Sequence, residues 1–436
     1  MEQSVTEIAV TLVYQLALIL VAAKLGGELC VRYLKVPPVL GELGAGILIG
    51  PFALGGLTIG TFGPVFPVPV VAAAAPTGLP ISHELYSFAQ VAAIVLLFMA
   101  GLQTDLKQFL KYAGPAFLVA TGGVILPFFL GDWATVLFGF AHGIGDPKAL
   151  FMGAALTATS VGITARVLGD LRRLDSPEGV TVIAAAVVDD VLGILVLTVV
   201  VAISGSGSVS LAKLGFIGAK ALGFWVGLTG AGILLSKPIS RLLESFRVSG
   251  AEVALSLALT FLAAGLAETV GLAMIIGAYS IGLALSATTL ARRLNDPMTG
   301  VYHALVPVFF VVMGMLVDIS AVQGSLVFGL VVTLLAIVGK VFGCGIPALA
   351  TGFNLLGASR VGFGMLPRGE VALIIAGIGL AYGVIDTDLF GVVILMTVAT
   401  TVVAPILLVP LFRIDGTGRR GRKVQAKAGN TEGRSS

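Results

Sequence analysis

Runs of apolar residues, each long enough to cross a lipid bilayer, follow one another through almost the whole chain. A membrane-spanning helix needs about 20 such residues. With 57% hydrophobic and only 11% charged residues, the chain cannot cover a water-soluble fold with polar side chains, since about 25% of residues are charged in soluble domains. We therefore predict an all-α polytopic membrane protein with about thirteen transmembrane helices. The predicted spans are 7–29, 37–55, 88–103, 114–139, 148–168, 179–203, 214–236, 250–267, 270–287, 301–317, 322–349, 358–382 and 385–412.

Basic residues are concentrated in alternate connecting segments, and Lys and Arg favour the cytoplasmic side of a membrane. Most of the 26 basic residues fall on one side when the C-terminus is placed in the cytoplasm. The long Gly- and Pro-rich loop 51–87, on the opposite side, has none. We predict a transmembrane domain over 1–412 and a short basic cytoplasmic tail over 413–436, with the N-terminus outside the cell membrane.

Two pairs of similar segments indicate an internal repeat. LLFMAGLQTDL, around Gly101, resembles FFVVMGMLVDI, around Gly314, and VLGELGAGILIG resembles IIGAYSIGLALS. The copies in each pair lie seven spans apart, which is an odd number, so they would cross the bilayer in opposite directions. Inverted repeats of this kind build many secondary transporters. We predict inverted-topology repeats over 37–203 and 270–412.

Charged residues inside predicted spans are costly and usually mark an ion pathway. Asp189 and Asp190 stand side by side in the sixth span, and neighbours on a helix point about 100° apart. One carboxylate can thus contact a partner while the other faces a cavity. Their repulsion and partial desolvation would favour proton uptake by at least one of them near neutral pH. Lys340, in the eleventh span, needs an anion, and one of the aspartates is the candidate; a purely structural salt bridge is the alternative.

Two predicted spans contain residues that break a helix. The fifth span includes LTATSVGITARVLGDL, and the twelfth includes GFGMLPRGEVALIIAG, with Pro367 and Gly369. Broken helices in a membrane leave N–H and C=O ends whose dipoles can bind ions. Arg368 and Glu370 would balance such ends, unless this segment is a loop that reaches water. Glu42 could pair with Arg368 or lie at the cytoplasmic interface.

Other kinds of chemistry have no candidate residues. We find no phosphate-binding glycine loop, metal-ligand cluster or catalytic nucleophile, and Cys30 and Cys344 resemble small core residues. A net charge of +3 is too small to indicate nucleic-acid binding. We therefore predict a transporter and not an enzyme, without a cofactor, whose partners are monovalent cations, protons and membrane lipids.

Six motifs occur in an order typical of one transporter family. They are PPVLGELGAGILIGP, FMAGLQTDL, TATSVGITARVL, VVDDVLGILVL, VGKVFG and MLPRGEVALI. Over residues 35–415 the chain resembles the monovalent cation:proton antiporter family, in particular its second branch, which includes bacterial sodium/proton antiporters and glutathione-gated potassium efflux systems. It differs from the potassium efflux members by ending in a short basic segment without a nucleotide-binding domain, which favours sodium.

The resemblance implies a homodimer of thirteen-helix subunits, in each of which a core domain moves against a dimerisation domain. It implies that Asp190 carries the cation or the proton, while Asp189 pairs with Lys340 when the cation is absent. A double aspartate with this lysine resembles the electrogenic branch. Further residues implied to line the sodium site are Thr159, Ser160 and Glu370.

The resulting hypothesis is exchange of Na⁺, with Li⁺ as a further candidate, for H⁺ by alternating access at Asp190. Three alternatives stay open: potassium/proton exchange, a channel or sensor with the same fold, and symport of an organic anion.

Overall fold

The computed structural model describes residues 5–35, 37–58, 63–67, 80–206, 211–317 and 325–420. These residues form α-helices joined by short turns, with a π-helical turn at Cys30–Leu34 and a 3₁₀ turn at Leu54–Gly56. The prediction of an all-helical protein is thus confirmed for the described part of the chain. The α-helices are α1 (Val5–Leu29), α2 (Pro38–Ile49), α3 (His83–Leu102), α4 (Leu106–Leu137), α5 (Pro147–Thr157), α6 (Val161–Asp170), α7 (Pro177–Ser206), α8 (Leu211–Glu244), α9 (Ala251–Thr269), α10 (Met274–Ser286), α11 (Thr289–Met315), α12 (Leu326–Ala350), α13 (Leu355–Gly364), α14 (Glu370–Ala381) and α15 (Thr387–Arg413).

Within the described residues, eleven helical segments are long and apolar enough to cross a membrane. The count of thirteen stays a prediction, because α10 and the apolar part of α14 are shorter than a full span. Several helices extend beyond the predicted limits: α11 begins at Thr289 rather than at residue 301. The apolar-run criterion misses such ends because a helix continues through polar residues once it leaves the hydrocarbon.

Both predicted helix breaks are present. Residues 158–160 separate α5 from α6, and residues 365–369 separate α13 from α14. The two breaks lie against each other, since the amide of Ser160 donates to the carbonyl of Pro367 at 2.8 Å. Residues 158–160 and 365–369 are buried, so the alternative that the second break is a loop reaching water does not describe this crossing.

Glycines bring the helix backbones of α2 and α11, and of α3 and α10, into direct contact. A Cβ atom at Gly46 would overlap the carbonyl of Val311, and one at Gly282 would overlap that of Phe98. Gly46 and Gly282 are separated in sequence by the same number of residues as the segments VLGELGAGILIG and IIGAYSIGLALS. Likewise, Phe98 and Val311 are separated by the same number of residues as Gly101 and Gly314. The two contacts are therefore at equivalent positions of the predicted repeat, which this correspondence supports.

The same relation extends to the helices before these pairs. A Cβ atom at Gly41 would overlap the backbone of Gly26 in α1, and one at Gly277 would overlap that of Ala263 in α9. The predicted repeat boundaries, 37–203 and 270–412, leave α1 and α9 out. We therefore expect each repeat to begin one helix earlier than the sequence predicted. Asp318, at the end of one similar segment, lies outside the described residues.

Helices α4 and α12 pack closely against each other. They approach at Gly122 and Gly343, where a Cβ atom on either would meet the backbone of the other. Helix α7 packs against α4, α5, α6 and α13. The two broken helices and the helix with the paired aspartates therefore belong to one packed group. The chain after α15 is described to Arg420, and the rest of the predicted basic tail, 421–436, lies outside the described residues.

Candidate ion-binding site

The crossing of the two broken helices forms the centre of the candidate site. Thr159 and Ser160 lie in the first break and are 4% and 3% exposed. The Thr159 hydroxyl donates to the carbonyl of Met365 at 3.4 Å, and the Thr164 hydroxyl donates to that of Gly364 at 2.6 Å. A Cβ atom at Gly369 would lie 2.8 Å from the side chain of Ser160. Only glycine therefore fits where the second break passes over the first.

Lys340 and Asp189 form a buried ion pair beside this crossing. The Lys340 ammonium Nζ lies 2.8 Å from Oδ1 of Asp189, and the side chains are 0% and 2% exposed. Helices α7 and α12 are thus joined through opposite charges with no access to water. In a medium of low dielectric constant, neither charge is stable without the other. The pair implied by the resemblance is brought together here.

Arg368 lies at the negative end of a half-helix, as a residue that balances a helix dipole should. Its guanidinium donates to the carbonyl of Ala158, the C-cap of α5, at 2.7 Å, and more weakly to the carbonyl of Ala336 at 3.4 Å. The Thr401 hydroxyl donates to the Arg368 carbonyl. Ala336 is one helical turn before Lys340 in α12, so Arg368 and Lys340 hold the same stretch of that helix.

Asp190, adjacent to the ion-paired Asp189, is partly buried. Glu370 is the first residue of α14, and a carboxylate is stabilised at this positive end of a helix. The side chain of Glu370 lies outside the described part of the structure. The structure thus assembles Thr159, Ser160, Asp189, Lys340 and Arg368 around one crossing, with Asp190 next in sequence to Asp189.

A small cavity of about 40 Å³ borders the crossing. Ser160, Arg368 and Gly369 form one wall, and the other walls are mostly apolar residues of α2, α11 and α15, together with the hydroxyl residues Thr397 and Thr401 of α15. A cavity needs about 10–15 Å³ for one water molecule, so there is room for a few. A few water molecules can therefore lie next to the crossing, between α2 and α11 on one side and the broken helices on the other.

The prediction that Glu42 could pair with Arg368 is wrong, whereas the alternative that Glu42 lies at the cytoplasmic interface stays a prediction. Glu42 is 2% exposed, and its Oε1 lies 3.5 Å from the guanidinium of Arg166 in α6. The same guanidinium contacts Asp170 at 3.2 Å and lies over the ring of Tyr302 in α11. Glu42 had no unique partner in the sequence, because the positions of α2 and α6 relative to each other depend on tertiary packing.

Sequence reasoning also did not single out Arg166 and Arg360. Both are buried, at 4% and 5% exposed, and Arg360 contacts Glu178 in α7 at 2.7 Å. Each arginine lies inside a predicted span, 148–168 or 358–382. A charge inside a span is itself a signal of a specific partner, and that signal could have identified both.

Within the part of the chain that the structure describes, no group of three or more His, Cys, Asp or Glu residues could hold a metal ion. The groups that lie at the crossing are the hydroxyls of Thr159 and Ser160 and the backbone carbonyls of the two breaks. Such oxygen ligands suit a hard alkali cation, although Na⁺ and K⁺ are not distinguished by ligand type alone.

Comparison with known proteins agrees with this geometry. Residues 17–414 match the family model described as the transmembrane sodium/hydrogen exchanger. The high-affinity Na⁺/H⁺ antiporter NhaS3 of Synechocystis is 36% identical over 415 residues, which cover 89% of this chain and 87% of that protein. The Na⁺/H⁺-K⁺ antiporter GerN of Bacillus cereus is 35% identical over 401 residues, covering 91% of this chain and 95% of that protein.

A solved structure has the same fold. The sodium proton antiporter MjNhaP1 of Methanocaldococcus jannaschii superimposes with a TM-score of 0.64 at 18% identity, covering 93% of this chain and 100% of that one. The family-model match and the superposition each extend over most of the chain. The chain therefore belongs to the sodium/hydrogen exchanger family.

Proposed function

We propose that this protein exchanges Na⁺ for H⁺ across the cell membrane by alternating access, with Asp190 as the group that binds either ion. The observation that carries the proposal is the buried Asp189–Lys340 pair at the crossing of two broken helices. Asp190 is the second carboxylate at the centre of α7, next in sequence to the ion-paired Asp189, and we assign to it the binding of the transported cation or proton. The names of two relatives at 36% and 35% identity support the same function.

Electrostatics explains why one carboxylate would couple the two ions. An aspartate at the centre of a membrane helix costs roughly 2.5–3.5 kcal/mol on insertion scales. A penalty of this size would slow the crossing of an unloaded, charged site by roughly 100-fold. With Na⁺ or H⁺ bound, Asp190 is neutralised and the core can move. Only loaded forms would cross, so each Na⁺ moved one way would be matched by proton movement the other way.

The test is Na⁺-driven recovery of the fluorescence of a pH-sensitive dye in proteoliposomes with an acidic interior, in which Na⁺ entry is matched by proton exit. The wild-type protein is expected to respond to Na⁺, whereas Asp190→Asn, which keeps the shape of the side chain without its charge, is expected to be inactive. Thr198→Val, on the same helix two turns further on, is the matched control and should transport normally. An Asp190→Asn variant with wild-type activity would contradict the proposal.

Potassium/proton exchange is a second candidate, and one observation favours it. The relative GerN, at 35% identity, is named a Na⁺/H⁺-K⁺ antiporter. The dye assay is therefore repeated with K⁺ and Li⁺ in place of Na⁺. A response to K⁺ alone would replace the sodium proposal. A proton flux that persists without any cation gradient would instead indicate a channel.

Electrogenic transport follows if more than one proton moves for each Na⁺, as the double aspartate implies. Imposing an inside-positive membrane potential should then accelerate the Na⁺-driven response, because the entry of one Na⁺ and the exit of more than one proton move net positive charge outwards. A rate independent of the potential would mean electroneutral exchange. The orientation, with the C-terminus in the cytoplasm, is a further proposal, and labelling of single cysteines in loops of intact cells tests it.

A homodimer is also proposed. Helices α1 and α8 are the least buried of the candidate spans, with 17% of their most apolar window buried within one chain, which leaves apolar faces for lipid or for a second copy. Chemical cross-linking in membranes, followed by mass measurement in detergent, distinguishes a dimer from a monomer.

A further inference from the structure

The chain that follows α15 folds back and lies across the ends of four other helices. Residues 414–420 are called here the C-terminal clasp. The amide of Asn354 donates to the carbonyl of Gly418 at 2.9 Å, and its side chain donates to that of Thr417 at 2.7 Å. The amide of Arg420 donates to the carbonyl of Gly352 at 3.1 Å. The clasp is thereby fixed to the turn between α12 and α13.

Arg360, in α13, joins the clasp to two more helices. Its guanidinium donates to Glu178 in the first turn of α7 at 2.7 Å, and to the carbonyls of Ile414 at 2.7 Å and Gly416 at 3.2 Å. A further bond, of 3.0 Å, reaches the carbonyl of Leu411 near the end of α15. This buried cation thus lies between a carboxylate at the positive end of α7 and the carbonyls at the negative end of α15.

A second cation of the clasp reaches a different helix. The guanidinium of Arg419 lies 5.0 Å from the ring centroids of both Tyr112, in α4, and Phe353. It also donates to the carbonyl of Thr351 at 3.2 Å. A guanidinium over an aromatic ring is attracted to the face of that ring, so Arg419 holds α4 against the turn after α12.

The path of the clasp allows no side chain at two of its contacts. A Cβ atom at Gly357 would overlap the carbonyl of Gly418, and one at Gly418 would overlap the carboxylate of Glu178. Backbone passing this closely between two helices is typical of a built interface rather than of a tail resting on a surface.

The helices held by the clasp are those that carry the candidate ion site. Helix α7 carries the paired aspartates about twelve residues, or roughly 18 Å, beyond Glu178. Helix α13 leads into the crossing only five residues after Arg360, and α12 carries Lys340. A half-helix of ten residues has no continuous hydrogen-bond ladder through the break to fix its axial position. A displacement of α13 at the clasp would therefore move the crossing relative to Asp190.

We propose that Arg360 and the C-terminal clasp are positioning elements for ion binding, which hold α4, α7, α12 and α13 in the relative positions that the cation site requires. This inference rests on the proposed exchange function for its transport readout. It assigns a role to a segment that is remote from the aspartates and contacts no transported ion.

A reversible disulfide tests this proposal. Phe353 and Arg419 face each other in an antiparallel bridge, where Cα atoms are about 4.5–5.5 Å apart, within the range for a disulfide. The variant carries Phe353→Cys and Arg419→Cys in a background with Cys30→Ala and Cys344→Ala. The reduced form lacks the Arg419 contacts, and its apparent KM for Na⁺ should rise by about tenfold, the change given by a loss of roughly 1.4 kcal/mol in binding. Oxidation should return the apparent KM most of the way to the wild-type value. The maximal rates of the reduced and oxidised forms should agree within about twofold.

Truncation supplies an independent comparison. A chain ending at Arg420 keeps the clasp and should bind Na⁺ as the full-length protein does, whereas a chain ending at Arg413 lacks it and should show the raised KM. Equal KM values for the reduced and oxidised double-cysteine protein would overturn the proposal, even if the shorter chain fails to fold.

Amide hydrogen exchange separates this inference from the exchange function. Exchange at residues 355–364 should be faster in the reduced than in the oxidised protein, whichever ion is transported. Unchanged exchange there would refute the clasp. Faster exchange in a protein whose wild-type form transports no cation would instead refute the proposed function and leave the clasp standing.

Discussion

Replacing Lys340 by methionine should leave Asp189 buried without its partner, since the ammonium lies 2.8 Å from that carboxylate and both side chains are almost inaccessible to water. Removing one member of a buried ion pair costs about 3–5 kcal/mol. The variant can reduce this cost by protonating Asp189. Taking up a proton at pH 7 costs a carboxyl group of ordinary acidity about 4 kcal/mol, and this sets an upper limit on the loss of stability at that pH.

The loss of stability in Lys340→Met should become smaller as the pH falls. The variant must bind a proton when it folds, whereas the wild-type protein does not. The difference in the free energy of unfolding between them should therefore shrink by about 1.4 kcal/mol for each pH unit below 7. The double variant Asp189→Asn with Lys340→Met buries no charge at this position and should recover most of the stability at pH 7.

The assay is equilibrium unfolding by denaturant in detergent micelles, for the wild-type protein, both single variants and the double variant, at two pH values. A double-mutant cycle then gives the coupling between the residues, expected to be at least about 2 kcal/mol at pH 7. Additive effects of the single variants, or a loss in Lys340→Met that does not change with pH, would refute the conclusion that the pair is closed in the folded protein.

Three further predictions concern the packing of α3 against α10, the Glu42–Arg166 ion pair, and competition between H⁺ and Na⁺ at Asp190. Gly101→Leu should disrupt the contact of α3 with α10 and destabilise the protein by about 1–3 kcal/mol or more, while Gly265→Leu, with open space around it, should be neutral in the same thermal unfolding assay. Glu42→Gln should cost about 1.5–3 kcal/mol because Arg166 loses one of two charged acceptors; a change below about 0.5 kcal/mol would show that Asp170 alone satisfies it. If one proton competes with one Na⁺ at Asp190, the apparent KM for Na⁺ should rise by up to about tenfold per unit of falling pH, and a KM independent of pH in the dye assay would exclude competition.

Much of the fold followed from local properties of the chain. Apolar runs give membrane helices wherever they occur, because the hydrocarbon interior admits no unpaired backbone groups. The breaks at 158–160 and 365–369 followed from proline, glycine and hydroxyl residues in those runs. Helix ends that protrude beyond the hydrocarbon, as in α11, carry polar residues and could not be located by the same criterion.

The candidate site, too, could be predicted from the sequence only in part. Asp189, Asp190 and Lys340 stood out in the sequence because a charge within an apolar span is costly wherever the span lies. Which charge meets which partner depends on how α7 and α12 cross, on the positions of the two breaks relative to each other, and on where the chain after α15 returns.

By itself, the sequence therefore determined that this protein is an α-helical membrane protein with charged groups and broken helices inside its spans. Only the tertiary structure decided that Lys340 pairs with Asp189, that Glu42 pairs with Arg166 rather than Arg368, and that Arg360 joins α7 to the clasp. The physical reason is range: the cost of burying a charge is a property of one residue and its neighbours in the chain. The partner that offsets this cost is brought within 3–4 Å only when helices far apart in sequence pack together.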